Sequence, residues 1–315
     1  MGDGRRTAVL FVMGHGSSGT TILGNTLGEI DGFFHAGELR TIWGEALAGL
    51  QKCGCGRPLR ECPVWSEVLA RGFPGLDDAE AARLARLHRD TIRVRHTLRL
   101  LRADPPKMPQ WPALTEYADV AARLYRSIGE ATGARVIVDT SKRTGDAALL
   151  RLLPGVDPYV LHVVRDPRAV AYSWSHRSGS PPSELATAGE WLAFSALGET
   201  VKWRLGRGRS MVLRHEDFAE RPRASLERVL RFVGAAGTPI PLSGPEDRTV
   251  EFGENHTVAG HWTRFNRGPA DLRLSTEWVS KQRPGQRLLV TGVALPLLPR
   301  YGYPLLPGPS SHDFH

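Results

Sequence analysis

The sequence predicts an α/β fold in three layers, α/β/α, built on a mainly parallel central sheet with a helical and looped insertion. Three observations predict it. Short apolar runs, Ala8–Met13, Arg135–Asp139 and Tyr159–Val164, each pass directly into a loop and then into a helical pattern. Helical segments separate consecutive strands, so the strands run parallel and helices cover both sheet faces. The chain has 315 residues, 41% of them hydrophobic, enough to bury one large α/β core.

The elements follow in order. The strand Ala8–Met13 opens into Gly14–Ser18, and a helix is expected from Gly19 to about Glu29. The extended piece Gly32–Ala36 leads to Gly37, Glu38 and Leu39. Residues 44–75, rich in Gly, Cys and Pro, read as irregular. From Asp77 onward Ala79, Ala82, Leu84, Leu87, Ile92 and Leu98 keep roughly helical spacing, which predicts one long helix ended by Asp104-Pro105-Pro106. Pro109–Pro112 reads as a loop and Ala113–Thr132 as a helix. The strand Arg135–Asp139 leads through Thr140, Ser141 and Lys142 into a helix ending near Leu153.

The strand Tyr159–Val164 ends at Arg165-Asp166-Pro167, where an Asp N-cap followed by Pro starts a helix. A helix from Pro182 to Leu205, a strand Met211–Arg214 and a helix Arg221–Val233 come next. Residues 235–266 read as poor in regular structure, and residues 304–315 as a flexible tail. Residues 1–303 are therefore expected to form one domain, with residues 40–134 inserted into it.

The net charge of +8 points to anionic partners. No basic run is interleaved with stacking aromatics, so the partner is expected to be a polyanionic small molecule rather than nucleic acid. Arginines spread along Ala79–Arg102 read as solvated faces. No stretch approaches 18 apolar residues, so no membrane-spanning helix is expected. Ala8–Met13 is short and opens into a Gly/Ser loop, so it reads as a strand rather than a signal peptide, and the expected compartment is the cytoplasm. Cys53, Cys55 and Cys62 fall in a C-x-C-x6-C spacing that is not a standard zinc knuckle. No His is near in sequence, although a distant one could complete a zinc site; a thiol loop or one local disulfide is the favoured reading, and no metal is expected.

Two segments carry the chemistry. Gly14–Thr21, GHGSSGTT, fits G-x-x-x-x-G-[KT]-T between a strand and a helix, a P-loop-like unit. Small residues let backbone N–H groups converge on an anion, and the helix N-terminus adds about half a positive charge. Thr20 holds the position of the Walker lysine, which argues against a nucleoside triphosphatase. In Val163–Trp174, VVRDPRAVAYSW, Arg165 leaves a strand end and Ser173 lies eight residues on, a pairing suited to clamping phosphate where parallel strands end.

Together these segments resemble the PAPS-dependent sulfotransferase superfamily, bacterial and actinobacterial-type members with a P-loop fold, whose donor is 3′-phosphoadenosine-5′-phosphosulfate. SSGTT resembles the 5′-phosphosulfate loop, which assigns Gly16, Ser17, Ser18, Gly19, Thr20 and Thr21 to the donor. RDPRAVAYS resembles the 3′-phosphate motif, with Arg165 and Ser173 as its clamp. VDTSK at Val138–Lys142 resembles the segment whose lysine lies near the sulfuryl group. Residues 213–234 resemble a late strand–helix unit. HTVAGHWTRF at His256–Phe265 resembles the loop whose arginine, here Arg264, closes over the 3′-phosphate. CGCGRPLRECPVW at Cys53–Trp65 resembles an insertion of many such members.

The resemblance runs from about Val9 to Tyr303. It implies sulfuryl transfer from PAPS to a hydroxyl of a small-molecule acceptor, such as a sugar, phenol or natural-product scaffold, with an amine left open. The product would be adenosine 3′,5′-bisphosphate, and no metal would be needed. Glu38 is the expected general base, with pairing to Arg40 as the competing reading. His15 is the second choice, and Lys142 would stabilise the leaving phosphate. Ser17 departs from the family, which has Lys or Arg before SGTT, and Lys142, Arg40 or His15 are the candidates to replace that cation. A P-loop small-molecule kinase and a catalytically silent adenosine 3′,5′-bisphosphate binder are the alternatives. His162 and His215 read as structural. The tryptophans read mostly as core, with Trp43 and Trp111 as possible pocket residues.

Overall fold

The computed structural model describes residues 6–176 and 180–305. Five parallel strands form the central sheet: β1 (Thr7–Met13), β2 (Phe33–Gly37), β3 (Val136–Lys142), β4 (Val156–Val164) and β5 (Ser210–Arg214), in the spatial order β2-β3-β1-β4-β5. β1 lies at its centre, with Val9 beside Ile137 and Leu10 beside Tyr159. Val9, Leu10, Phe11, Val12 and Met13 are all buried without alternation, because both faces are covered. Val9, Phe11 and Met13 face one core and Leu10 and Val12 the other.

Helix α1 (Thr20–Gly28) follows β1. Between β2 and β3 come α2 (Pro63–Gly72), α3 (Asp78–Thr91), α4 (Thr97–Arg102) and α5 (Pro112–Thr132). The long α5 lays Leu114, Ala118, Ala121, Tyr125 and Ile128 onto the first core. Then come α6 (Thr144–Leu150), α7 (Pro167–Ser175), α8 (Glu184–Leu205), α9 (His215–Glu220), α10 (Pro222–Phe232), α11 (Glu277–Lys281) and α12 (Pro284–Ala294). The chain leaves β1 toward β2 and β3, and leaves β4 toward β5 on the other side. The crevice at the carboxyl ends of β1 and β4 is thus a topological switch point, where α/β sheets bind ligands.

Three sequence expectations are corrected. The helix expected from 77 to 104 is two, α3 and α4. Ile92 and Arg93 turn extended between them, and Arg93 O runs so close to Gly145 that a Cβ there would lie 2.9 Å away. His88 Nε2 at 2.8 Å from Asp146 Oδ1, and Thr97 Oγ1 at 2.9 Å from Thr144 Oγ1, fasten both pieces to α6. Ala81, Leu84, Ile92, Leu100 and Leu101 enter the first core, whereas Ala79, Ala82 and Leu98 of the expected apolar spacing are exposed.

Residues 44–75 are not irregular throughout, since they contain α2, whose start is marked by Pro63 at its first position. Residues 235–266 carry strands β6 (Leu242–Ser243) and β7 (Thr249–Phe252), which form a small antiparallel sheet with β8 (Gly268–Asp271). Strands this short leave no readable alternation. The distant histidine that could join the three cysteines is His256, 194 residues beyond Cys62 and within 3.2 Å of its sulfur. Trp65 and Trp191 are core as expected and the pocket candidate Trp43 is core as well, whereas Trp203 and Trp262 are exposed. Of the expected tail, residues 306–315 lie outside the described residues.

Candidate functional site

The loop after β1 is shaped by what crowds it. A Cβ on Gly16 would lie 2.6 Å from Trp174 Cζ2, and one on Gly19, at φ +79°, would collide with His215 Nδ1. Ser17 holds φ +66°, a left-handed conformation rare for a residue with a side chain. Arg165 holds it there, donating from Nη1 to Ser17 O at 2.8 Å, and Ser173 Oγ donates to Ser17 Oγ at 3.2 Å. Trp174 Nε1 donates to Gly16 O at 3.2 Å. Gly19 caps α1 without a side-chain acceptor, so the first amides of the helix face outward as anion donors.

A second cluster forms where β2 and β3 end. β3 shifts register against both of its neighbours, and Lys142 adopts φ +70° at its last position. The bulge aims its side chain at Glu38, one residue past β2. Lys142 Nζ donates to Glu38 Oε1, and Arg40 Nη2 donates to Oε2 at 2.7 Å. Burial pushes the Glu38 carboxyl up, but Lys142 and Arg40 together outweigh it and hold it below the usual range. Beneath them His35 is buried between Asn25 Oδ1 and Thr140 Oγ1, each 3.1 Å away. Burial and then Lys142 bring its pKa down to about 3, so it stays neutral. Lys142 does not pair with Asp139, whose carboxylate accepts from Tyr125 Oη at 2.6 Å and from the Ser141 amide at 2.8 Å.

One cavity of about 680 Å³ joins the two clusters. Gly16, Ser17, Gly19, Thr20 and Thr21 form its floor, Arg165 and Ser173 one end, and Glu38, Arg40 and Lys142 the other. Three cations face one carboxylate there, a field suited to a polyanion. Three expected residues are not brought to it. Ser18 turns inward and is buried. His15 lies with its ring 6.1 Å from both Trp174 and Phe194, and its Nε2 3.8 Å from Glu190. Arg264 is buried and spends its guanidinium on Gly260 O (2.7 Å) and Lys52 O (2.9 Å). The loop singled out by Arg264 does reach the cavity, but through His261 and Thr263. Trp174 also lines it. It lies within the segment that drew attention to Arg165, and only the contact with Gly16 marks it out.

A neighbouring cavity of about 490 Å³ shares Arg40 with the first. Arg89, Arg93 and Arg143 line it with a single acid, Glu45. The end of α3 and the break after it supply this wall.

A family model described as the Sulfotransferase family matches residues 10–239. No curated protein matches the chain. The sulfotransferase domain of the olefin synthase of Synechococcus PCC 7002 is similar at 19% identity and a TM-score of 0.53, over 96% of this chain and 97% of that one. The sulfotransferase domain of the curacin biosynthetic pathway is similar at 14% identity and a TM-score of 0.56, over 96% of this chain and all of that one. At such identities the likeness speaks for the fold.

Proposed function

This chain belongs to the sulfotransferase family, and from that premise we propose that it transfers the sulfuryl group of PAPS to a hydroxyl of a small, anionic acceptor. The observation that carries the reading is that the anion-binding loop, the Arg165–Ser173 clamp and the Glu38–Lys142 pair all line one cavity. The residues fit such a donor: Arg40, Lys142 and Arg165 set three cations around the cavity, and the α1 amides lack a side-chain cap. When bound, the donor supplies an activated sulfuryl group with a phosphate as leaving group.

In this reading the α1 N-terminus with Thr20 and Thr21 binds the 5′-phosphosulfate end, and Arg165 with Ser173 binds the 3′-phosphate. Lys142 supplies the cation that Ser17 lacks. Glu38 accepts the acceptor's hydroxyl proton on a carboxylate oxygen. A carboxylate held by two cations is a weak base. Drawing the Lys142 ammonium toward the anion loop leaves Glu38 with Arg40 alone, and burial then raises its basicity. The same displacement neutralises negative charge where it grows during transfer. The acceptor occupies the arginine-lined cavity beyond Arg40, which favours a carboxylate or phosphate group on it.

Calorimetric titration with adenosine 3′,5′-bisphosphate, with adenosine 5′-monophosphate and ATP as controls, tests the donor site. Micromolar binding that needs the 3′-phosphate and is lost in Arg165→Ala is the expected result. Preference for ATP with Mg²⁺ would replace the reading by a kinase. Tight bisphosphate binding with no sulfated product from any hydroxylated acceptor would leave a silent binder.

A further inference from the structure

We propose that Cys53, Cys55, Cys62 and His256 hold a structural zinc ion that staples the segment after β2 to the loop walling the donor cavity. The four ligand atoms all lie within 4.8 Å of one another. Cys53 Sγ is 3.5 Å from Cys62 Sγ, and His256 Nδ1 is 3.2 Å from Cys62 Sγ and 3.8 Å from Cys53 Sγ. Tetrahedral zinc, with bonds of about 2.3 Å to sulfur and about 2.0 Å to nitrogen, requires ligand separations of about 3.5–3.8 Å. The observed distances bracket that range. A disulfide needs its sulfurs about 2.05 Å apart, and one between Cys53 and Cys62 would strand Cys55 and His256.

The backbone is built for such a site. Cys53 N donates to Arg57 O and Gly56 N to Cys53 O, both at 2.8 Å, so Cys53-Gly54-Cys55-Gly56 forms a tight knuckle closed by the Lys52–Pro58 bridge. Cys62 sits at the N-cap of α2, where helix amides favour a thiolate. Cys53 and Cys62 are fully buried. Trp65 Nε1 donates to His256 O at 2.6 Å, and Glu254 Oε1 lies 3.8 Å from His256 Nε2. That leaves Nδ1 for the metal with a carboxylate behind the ring, the usual support for a zinc-bound histidine. Three thiolates around Zn²⁺ leave one negative charge. Arg264, bonded to Lys52 O, and Arg267, bonded to Gly54 O at 2.6 Å, offset it. Arg264 thereby acquires a role other than the cavity. Four protein ligands leave no open position, so the ion is structural rather than catalytic.

Zinc analysis of the full chain, purified without chelator, tests this. The expected result is close to one zinc per chain, lost in Cys55→Ser and in His256→Ala. Cys55 is half-buried, so its variant is the milder one. If either variant fails to fold, Co²⁺ replacement in the unmodified chain gives a second readout: intense thiolate-to-cobalt absorption that zinc displaces. Chain free of zinc that takes up no Co²⁺, a Cys53–Cys62 disulfide in the intact protein, or zinc retained in a folded His256→Ala variant would each overturn the proposal.

Discussion

Glu38 stands between Lys142 and Arg40, with burial opposing its charge. Two predictions belong to this scale. Glu38→Gln keeps the shape of the site and removes the base, so calorimetry should show unchanged bisphosphate affinity while turnover falls by about 10²-fold or more. Full turnover would remove Glu38 from the role. Lys142→Ala removes the cation that lowers Glu38 and leaves the burial that raises it. The acidic limb of the kcat/KM profile should therefore move to higher pH, with Lys142→Arg restoring much of the position. Local spacing made each half of this site legible, since Gly16–Thr21 and Arg165 with Ser173 each need only a strand end, a loop and a helix, although the two halves are 148 residues apart. Lys52 O, which accepts from Arg264, and His256, beside the cysteines, lie some 200 residues from their partners. No spacing rule spans that distance.

At the scale of elements, the β1–α1 turn depends on Gly19 more than its motif alone conveys. Gly19→Ala adds a Cβ at φ +79° that collides with His215. Gly133 caps α5 at φ +67° with nothing within 4 Å of a Cβ. Gly133→Ala should cost about 1 kcal/mol of stability and leave bisphosphate binding intact. Gly19→Ala should weaken binding by about tenfold or more, because the strained amides no longer converge. Denaturant melts paired with calorimetry separate the two effects, and equal affinities in both variants would refute a special role for the turn. The buried strands were legible because β-branched runs have few other uses. The break between α3 and α4 was not, because Ile92 and Arg93 leave the helix to meet α6, a contact invisible to periodicity.

At the scale of the whole molecule, among the described residues, His35, His162 and His215 are sealed inside as neutral groups. Burial brings His35, His162 and His215 down to about 3, helped by Lys142, Lys202 and Arg165 respectively. The unfolded chain protonates them near the ordinary value of about 6.5 and so binds more protons between that pH and about 3. Stability is full above pH 6.5 and is lost as pH falls, by about 1.4 kcal/mol per pH unit for each histidine. Asp139 opposes them: burial, partly offset by Ser141 and Tyr125, raises it to about 6, so the folded state holds its proton longer than the unfolded one. Burial raises Glu29 and Glu216 as well, so these carboxyls oppose the histidines lower in the range. The rings act first as pH falls through about 6.5, and Tm should fall from pH 7 toward pH 6 in calorimetric scans. A flat or rising Tm would show that water reaches these rings.

The sheet order has a consequence for how the chain is made. β3 lies between β1 and β2, and among the described residues β2 pairs with no other strand. Yet β2 ends at Gly37 and β3 begins at Val136, about a hundred residues later. At roughly 5–20 residues per second of synthesis, the first two strands leave the ribosome about 5–20 s before the strand that joins them. The nascent chain must hold β1 and β2 apart and their edges open while the helices between β2 and β3 form beside them.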